Sequence, residues 1–585
     1  MPSDTDFEGP KHRRAARPII RSQSGVISAG HYLAASAGQE MLQNGGNAVD
    51  AGVAAGLAIN VVHHDMTSFG GVAPIILYSA EADEVFTISG LGRWPKNASR
   101  EYFNENSDGQ IPRGIERAVV PAAPDAWITA VYEHGNLTFG EVASPAIRLA
   151  CDGYPIFEFQ EYNISRVAES SDLHKSTKDI VLPDGTVPEV GDVLVQEALA
   201  ETLEAMVQAE QQYDDRLQGL KAARDYFYEG PIAESIDNFS RSNDGLLRKS
   251  DLAQFSVGTE DPVRVRYKNY EVYTCGPWCQ GPVLAQALKI LEQFDLEDMG
   301  HNSPEYSHTV LEALKLSFAD REWYYGDPDF VDVPMDVLVS ESYAEQRAEH
   351  ISSDSAWSEL PPPGKIRGSR PQQLDISHHE ADPIGPSGPL RPDTSYVAAM
   401  DSEGNLFSAT PSDSWHQMPI VPDLGFAISA RGSQSQLDAR HPASVEPWKR
   451  PRLTPNPALV LKDGKPYMAL GTPGGDVQPQ AMLQVFLNQV LFDMNPQQAV
   501  EVPRVSTYNF PASFSPHAYY PGVSATEAQF PNEVQTQLGE KGHRMYKWPK
   551  FGYRAGAVSV VRRKEGSQVL EASADPRREN YAVGK

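Results

Sequence analysis

Between residues 355 and 393 the chain carries no apolar period, and at Thr394 it turns abruptly into sheet. The stretch contains "PPPG", "RGSRPQQ" and "GPSGPLRP". Proline removes backbone donors and glycine loosens the chain, so neither helix nor strand continues through it. A connection this long without periodicity is as a rule functional or mobile. Directly after it, Tyr396, Val397 and Met400 read as a strand, "DSEGN" as a turn, and Leu406 and Phe407 as the return strand. A hydroxyl residue, Thr394, stands at the junction. The joint separates a helix-rich first two thirds from a strand-rich last third.

Before the joint, residues 1–24 read as a flexible lead-in. "HYLAASAGQEMLQNGG" predicts a helix stopped by Asn44, Gly45 and Gly46. Asn47 is placed to cap the next helix, "AVDAGVAAGLAINVVHHD". There Val49, Val53, Leu57 and Val61 recur every four residues, and Gly52 and Gly56 permit a close neighbour. "SFGG" breaks that helix, and "VAPIILYS" with "EVFTISGL" predicts a hairpin. Further on, Leu284, Leu288 and Leu291 mark one helix face. Ser303-Pro304 opens a helix with Leu311, Leu314 and Phe318 inward. After the joint, a hairpin turns at Asp463-Gly464, a glycine-rich exit follows, and "VQPQAMLQVFLNQVL" predicts a helix.

Charge narrows the function. The 78 acidic against 50 basic residues leave a formal net charge of -28, which repels phosphate backbones and argues against a nucleic-acid partner. The N-terminal segment has a basic patch at Arg13-Arg14, but no apolar core of signal-peptide length follows, and no run reaches membrane-spanning length. A cytoplasmic protein without a membrane partner is expected. Cys151, Cys275 and Cys279 are too few for a disulfide framework and lack partners for a zinc site. The adjacent pairs His63-His64 and His378-His379 point apart on any regular element. Solvated or capping roles suit them better than a shared metal. No metal or organic cofactor is expected.

The familiar catalytic signatures are absent: no G-x-S-x-G, no H-E-x-x-H, no P-loop, no G-x-G-x-x-G. Thr394 offers a different chemistry. Were the chain cut before it, the new α-amine would have a pKa of about 7.7–8.0 and could take the hydroxyl proton. On its own such a threonine merely starts a strand. Gly474-Gly475, at a strand end before a helix, would let backbone N–H groups face a reacting oxygen; on its own it is a plain turn.

Taken together, these segments resemble the γ-glutamyltransferase family of N-terminal-nucleophile hydrolases, over about residues 25–583. The markers are "NGGNAVDAGVAAGLAINVV", "SFGG", "ADREWYYGDPDFVDVP", "DTSYVAAMDSEGN", "KRPRLTPNPALVLKDGKPYMALGTPGGD" and "ADPRRENYAVG". The resemblance implies an α/β, four-layer αββα fold made as one precursor. That precursor would cut itself at Asp393–Thr394 into a large subunit (25–393, ending in a flexible linker from about 355) and a small one (394–585). Thr394 would attack an amide carbonyl and Gly474 and Gly475 would hold the oxyanion. Ser412 falls where the family has a threonine that bonds the nucleophile's amine. Thr454 falls beside the substrate carboxylate, with Leu453 lacking the family's hydroxyl.

The departures concern the substrate. Arg93 remains of the family's carboxylate-gripping segment, but two residues before Pro95 are missing. Ser414 stands for an asparagine. Gln434 stands for the carboxylate that would hold a glutamyl ammonium, and Arg431 replaces a neutral amide. A neutral glutamine cannot replace that ion pair, while an added guanidinium favours an anionic acyl group. Arg431 could equally form a structural ion pair. The pattern resembles the divergent acylase and amidohydrolase branch. The expectation is an autoprocessing amidohydrolase or acyltransferase acting on a small amide whose acyl group bears a carboxylate. The alternatives are a γ-glutamyltransferase or glutathione hydrolase, and an uncleaved scaffold with the same fold. Whether such heterodimers associate further is left open.

Overall fold

The computed structural model describes residues 15–168, 173–366, 368, 374 and 393–585. Arg13, Arg14, His378, His379 and most of the expected linker lie outside these residues.

The two helices predicted early in the chain form at Tyr32–Gln43 and Ala48–Val62. The first ends at Asn44, and Gly45 then takes φ +95°, a backbone state that glycine adopts without a Cβ penalty. Asn47 caps the second, and the Asp50 carboxylate accepts the Asn47 backbone N–H in return. The second helix stops three residues short of Asp65. The Thr67 hydroxyl donates to the Ile59 and His63 carbonyls and closes the end. Instead of one apolar face, all of Ala48–Val62 is buried. Its small residues allow this: a Cβ on Gly52 would stand 2.0 Å from the Phe407 ring, and one on Gly56 2.5 Å from Trp127. Gly52→Ala is therefore expected to destabilise the protein by about 1–3 kcal/mol through overpacking, read as a lowered urea midpoint.

Two seven-stranded sheets stack at the centre. One runs Tyr581–Gly584, Gly25–Ala29, Val397–Asp401, Leu406–Ala409, Ile75–Ser79, Glu84–Ile88, Thr259–Glu260. The other runs Ile20–Ser22, Leu570–Ser573, Ser559–Arg563, Lys465–Gly471, Ala458–Lys462, Tyr270–Thr274, Val263–Tyr267. The period-2 alternation of Val397–Asp401 sets the layers. Val397 and Ala399 face the core shared with Ala48–Val62 and its neighbouring helices. Ala398 and Met400 face Leu459, Ala469 and Val561 of the other sheet. A third core joins the second sheet to Gly281–Leu291, Pro304–Tyr324 and Gln478–Val490. Helix, sheet, sheet, helix is the expected αββα sandwich.

The division into a helix-rich and a strand-rich part does not carry over to space. Val397–Asp401 lies between Gly25–Ala29 and Leu406–Ala409, and Ala458–Lys462 pairs with Tyr270–Thr274. Both sheets interleave strands from either side of residue 393, so a cut there leaves the ladders intact. Part of the expected flexible lead-in is also ordered: Ile20–Ser22 pairs with Leu570–Ser573. The stretch from 352 to 366 is irregular, as expected, but is pinned. The His308 imidazole and the Lys315 ammonium reach the Ser352 and Trp357 carbonyls, and Leu360 donates to the Tyr519 hydroxyl. Among the described residues no helix is long and apolar enough to cross a membrane.

Candidate active site

Thr394 lies three residues before the strand Val397–Asp401. It forms an isolated bridge with Ser412, which itself bridges Val72 of the "SFGGV" segment. Ser395 donates to the Pro411 carbonyl (3.0 Å) and Ser412 to the Val72 carbonyl (3.0 Å). These ladder bonds hold the two hydroxyls side by side, with Thr394 Oγ1 2.8 Å from Ser412 Oγ. Both are buried. In the uncut chain, the Thr394 and Ser412 hydroxyls both reach the carbonyl oxygen of Asp393.

Arg431, first residue of a short turn at Arg431–Gln434, closes this cluster. Its Nη2 donates to Ser412 Oγ, to the Asp393 carboxylate (3.0 Å) and to the Asp393 carbonyl oxygen (3.3 Å). Its Nε faces the Asp413 carboxylate at 3.1 Å. Asp413 adopts φ +88° and accepts from the Ser429 hydroxyl (2.7 Å) and the Ala430 N–H (3.1 Å), which anchors the turn. Gln417 Nε2 donates to the same Asp393 oxygen at 3.3 Å. Burial pushes the Asp393 carboxyl up to about 7. The Arg431 guanidinium pulls against that, and the neighbouring Asp413 carboxylate adds to it. Two acids thus share one guanidinium in a dry site.

A raised acid pKa means that the folded, uncut chain binds more protons than the unfolded one. The Asp393 contribution is fully present below about pH 3.9, the unfolded value, and is lost as pH rises towards 7. An uncut Thr394→Ala protein is expected to lose more stability between pH 4 and 7 than the same protein carrying Asp393→Asn. Urea unfolding at each pH checks this.

Gly474 and Gly475 make the turn between the strand Lys465–Gly471 and the helix Gln478–Val490. Their φ values, +129° and +58°, suit glycine. The strand leading to them, Lys465–Gly471, ends against Tyr396: a Cβ on Gly471 would stand 2.1 Å from its ring. A Cβ on Gly475 would lie 3.6 Å from Phe514, whose ring is 5.4 Å from the Arg431 guanidinium carbon. Gln434 Nε2 donates to the Thr454 hydroxyl at 2.8 Å. Gln280 Nε2 donates to the carbonyls of both Thr454 (2.9 Å) and Gly475 (2.8 Å).

Of the predicted residues, the structure brings Thr394, Ser412 and Arg431 into one cluster with Asp393. It links Gln434 and Thr454 to Gly475 through Gln280. Ser414 is buried beside Asp413. Arg93 is not in the cluster; it pairs with Asp327 (3.3 Å) and Asp329 (2.5 Å) and donates to the Trp448 carbonyl. A cleft of 630 Å³ lies beside the cluster, lined among others by Arg113, Glu116, His174, Trp415 and Gln417. Gln417 thus touches both the cleft and Asp393.

A family model for gamma-glutamyltranspeptidase matches residues 34–585. The chain belongs to the gamma-glutamyltranspeptidase family. It is therefore an enzyme of the N-terminal-nucleophile hydrolase class, and its αββα sandwich is that of solved relatives. It is similar to the "Glutathione hydrolase-like YwrD proenzyme" of Bacillus subtilis, 31% identical and covering 97% of this chain and 99% of the relative. Among solved structures it is similar to LmbA2991T421A, 32% identical with TM-score 0.90, covering 98% and 100% of the two chains. It is also similar to cephalosporin acylase from Bacillus halodurans, 26% identical with TM-score 0.84, covering 100% and 99%.

Several residues of this gamma-glutamyltranspeptidase-family site escaped sequence reasoning. Asp413 and Gln417 lie so close to Ser412 that proximity in the chain was a usable signal. Gln280 carried none, while Arg321 and Arg578 stood inside the family markers "ADREWYYGDPDFVDVP" and "ADPRRENYAVG" without being singled out. Arg578 Nη1 reaches the Thr394 carbonyl at 3.4 Å from the far end of the chain. Arg321 donates to Asp476, next to Gly475, and to Gln280 Oε1 at 3.1 Å. His63 and His64, expected to be solvated or capping, are both buried; His63 does cap its helix, but His64 is not solvated. Cys275 and Cys279 are buried thiols and Cys151 is exposed.

One buried group elsewhere has metal-like spacing, His308, Glu312 and His543. Its donors and acceptors already match. The His543 and His308 rings are joined at 2.9 Å, and His308 Nε2 donates to the Ser352 carbonyl at 2.7 Å. The Lys315 ammonium sits on Glu312 at 2.7 Å, where a cation would bind.

Proposed function

We propose that this chain is the precursor of an autoprocessing amidohydrolase that cuts itself at Asp393–Thr394 and then uses Thr394 on small amides with an anionic acyl group. The observation that carries the reading is the setting of the Asp393 carbonyl. The neighbouring Thr394 hydroxyl attacks its carbon, and the Ser412 hydroxyl and Arg431 guanidinium lie against its oxygen, where charge develops. The Thr394 Oγ–C bond forms and the C–N bond breaks, with the hydroxyl proton ending on the Thr394 nitrogen. Water then opens the ester, leaving an Asp393 carboxylate and a free Thr394 amine. The same amine serves as base when an external amide arrives. Gly474 and Gly475 are assigned to the oxyanion of that second reaction. Transfer to an amine in place of water would make the enzyme an acyltransferase.

The buried Arg431 and neutral Gln434 favour a donor that is anionic and lacks a glutamyl ammonium. The cephalosporin acylase likeness supports this branch. Glutathione hydrolysis is the second reading, favoured by the name of the Bacillus subtilis relative. Denaturing gels and sequencing of the smaller fragment test the cut, which is expected to yield Thr-Ser-Tyr-Val. Dicarboxylic half-amide anilides assayed beside γ-glutamyl-p-nitroanilide test the substrate class. Turnover of the γ-glutamyl compound alone would select glutathione hydrolysis. A single uncut, inactive band would mean a scaffold.

A further inference from the structure

The uncut chain already has a carboxylate in its acyl-binding region, its own. The Asp393 carboxylate is buried, 3.0 Å from Arg431 Nη2 and 3.3 Å from Gln417 Nε2. Two atoms of chain, Cα and Cβ, separate it from the carbonyl carbon that Thr394 attacks. When that attack forms the ester, the acyl group on Thr394 is the aspartyl group itself, with its carboxylate already seated. Every later substrate would pass through an acyl-enzyme at the same Thr394 oxygen, within reach of the same Arg431.

We propose that Asp393 is the enzyme's first substrate, and that its seat on Arg431 and Gln417 measures out the preferred donor: an amide whose acyl group ends in a carboxylate two carbons beyond the scissile carbonyl, a succinyl-type half-amide. The inference rests on the amidohydrolase reading above.

Unused donors support a built seat. Arg431 is buried in the uncut chain with Nη2 on two Asp393 oxygens and Nε in ion-pair range of Asp413, yet neither Nε nor Nη1 has a hydrogen-bond partner among the described residues. Ser433 Oγ on the same turn and Ser414 Oγ next to Asp413 are buried and unpartnered too. Buried donors without acceptors are rare unless ordered water or a ligand supplies the partner. Asp413 remains after cleavage and holds the guanidinium in place through its 3.1 Å contact. Loss of Asp393 from the seat would then leave a fixed cation with open donors at a set distance from Thr394. Gln417 also lines the 630 Å³ cleft, so a substituent on the donor has room there.

The test has two arms, both at pH 8. In the first, the mature wild-type enzyme is given oxalyl, malonyl, succinyl, glutaryl and butyryl anilides together with γ-glutamyl-p-nitroanilide. Succinyl is expected to have the highest kcat/KM. One methylene more or less should lower it about tenfold or more, and uncharged butyryl should fall further. In the second, self-cleavage of Asp393→Glu and Asp393→Asn precursors is followed by gel. Asp393→Glu lengthens the seated group as glutaryl does, and should slow the cut by a factor similar to the glutaryl penalty; Asp393→Asn should slow it as loss of charge does. Melting curves in the Thr394→Ala background establish that both variants fold, and the donor series needs no variant. Glutaryl or malonyl outrunning succinyl, or both Asp393 variants cutting at the wild-type rate, would overturn the inference while leaving the amidohydrolase reading standing. Turnover of no half-amide but only of the γ-glutamyl compound would sink both.

Discussion

Thr394→Ala is expected to give a single uncut chain with no measurable turnover. The variant removes one oxygen, to which the proposed mechanism gives two tasks: attack on the Asp393 carbonyl and, after the cut, attack on substrate. Loss of an attacking residue elsewhere costs on the order of 10⁶ in kcat, and here the amine that would act as base is also never released. Folding should survive. The hydroxyl bonds only to Ser412 and Asp393, while the sheet around it rests on backbone ladders to Gly25–Ala29 and Leu406–Ala409. The gel and an anilide assay read both effects in one preparation. Cutting that persists in this variant would place the nucleophile elsewhere. Ser412→Ala is the milder companion: it takes one donor from the Asp393 carbonyl and should slow the cut without abolishing it, about 10²–10³-fold.

The largest stability effect is expected at Arg321. It is fully buried in the helix Pro304–Tyr324 and reaches Asp476, Gln280, Ser513, the Pro511 carbonyl and Glu322. The Glu322 carboxyl is held well below its usual range: burial alone would raise it, but Arg452 and Arg321 outweigh that. Arg321→Ala would strand Asp476 in a site without solvent. Breaking such a buried pair costs about 3–5 kcal/mol, which urea unfolding would read. Asp476 follows Gly475 directly and Gln280 holds the Gly475 carbonyl, so the variant should also loosen the turn assigned to the oxyanion. The expected signature is a fall in kcat with KM nearly unchanged, because the turn acts on charge that develops only in the transition state. Arg321→Lys should recover little, since an ammonium cannot span the same set of acceptors. Loss of stability with unchanged kcat would make Arg321 a scaffold residue alone.

Local patterns in the sequence were enough for the elements. Asn47, Ser303-Pro304 and the Asp463-Gly464 turn are short-range signals, and each element formed where those residues put it. The order of motifs along the chain was enough for the family and for the αββα sandwich. The joint at Thr394 was visible because texture changes there within a few residues. What the sequence could not determine was which side chains meet. Arg431 lies 37 residues beyond Thr394 in chain number, Arg321 73 before it and Arg578 184 after it, and no local period encodes such distances. Arg93, chosen by resemblance, pairs instead with Asp327 and Asp329. Only the stacking of two sheets, each woven from both halves of the chain, decided that Asp393 would rest on Arg431. Backbone hydrogen bonding sets each strand by itself, whereas the meeting of distant side chains depends on how whole layers pack.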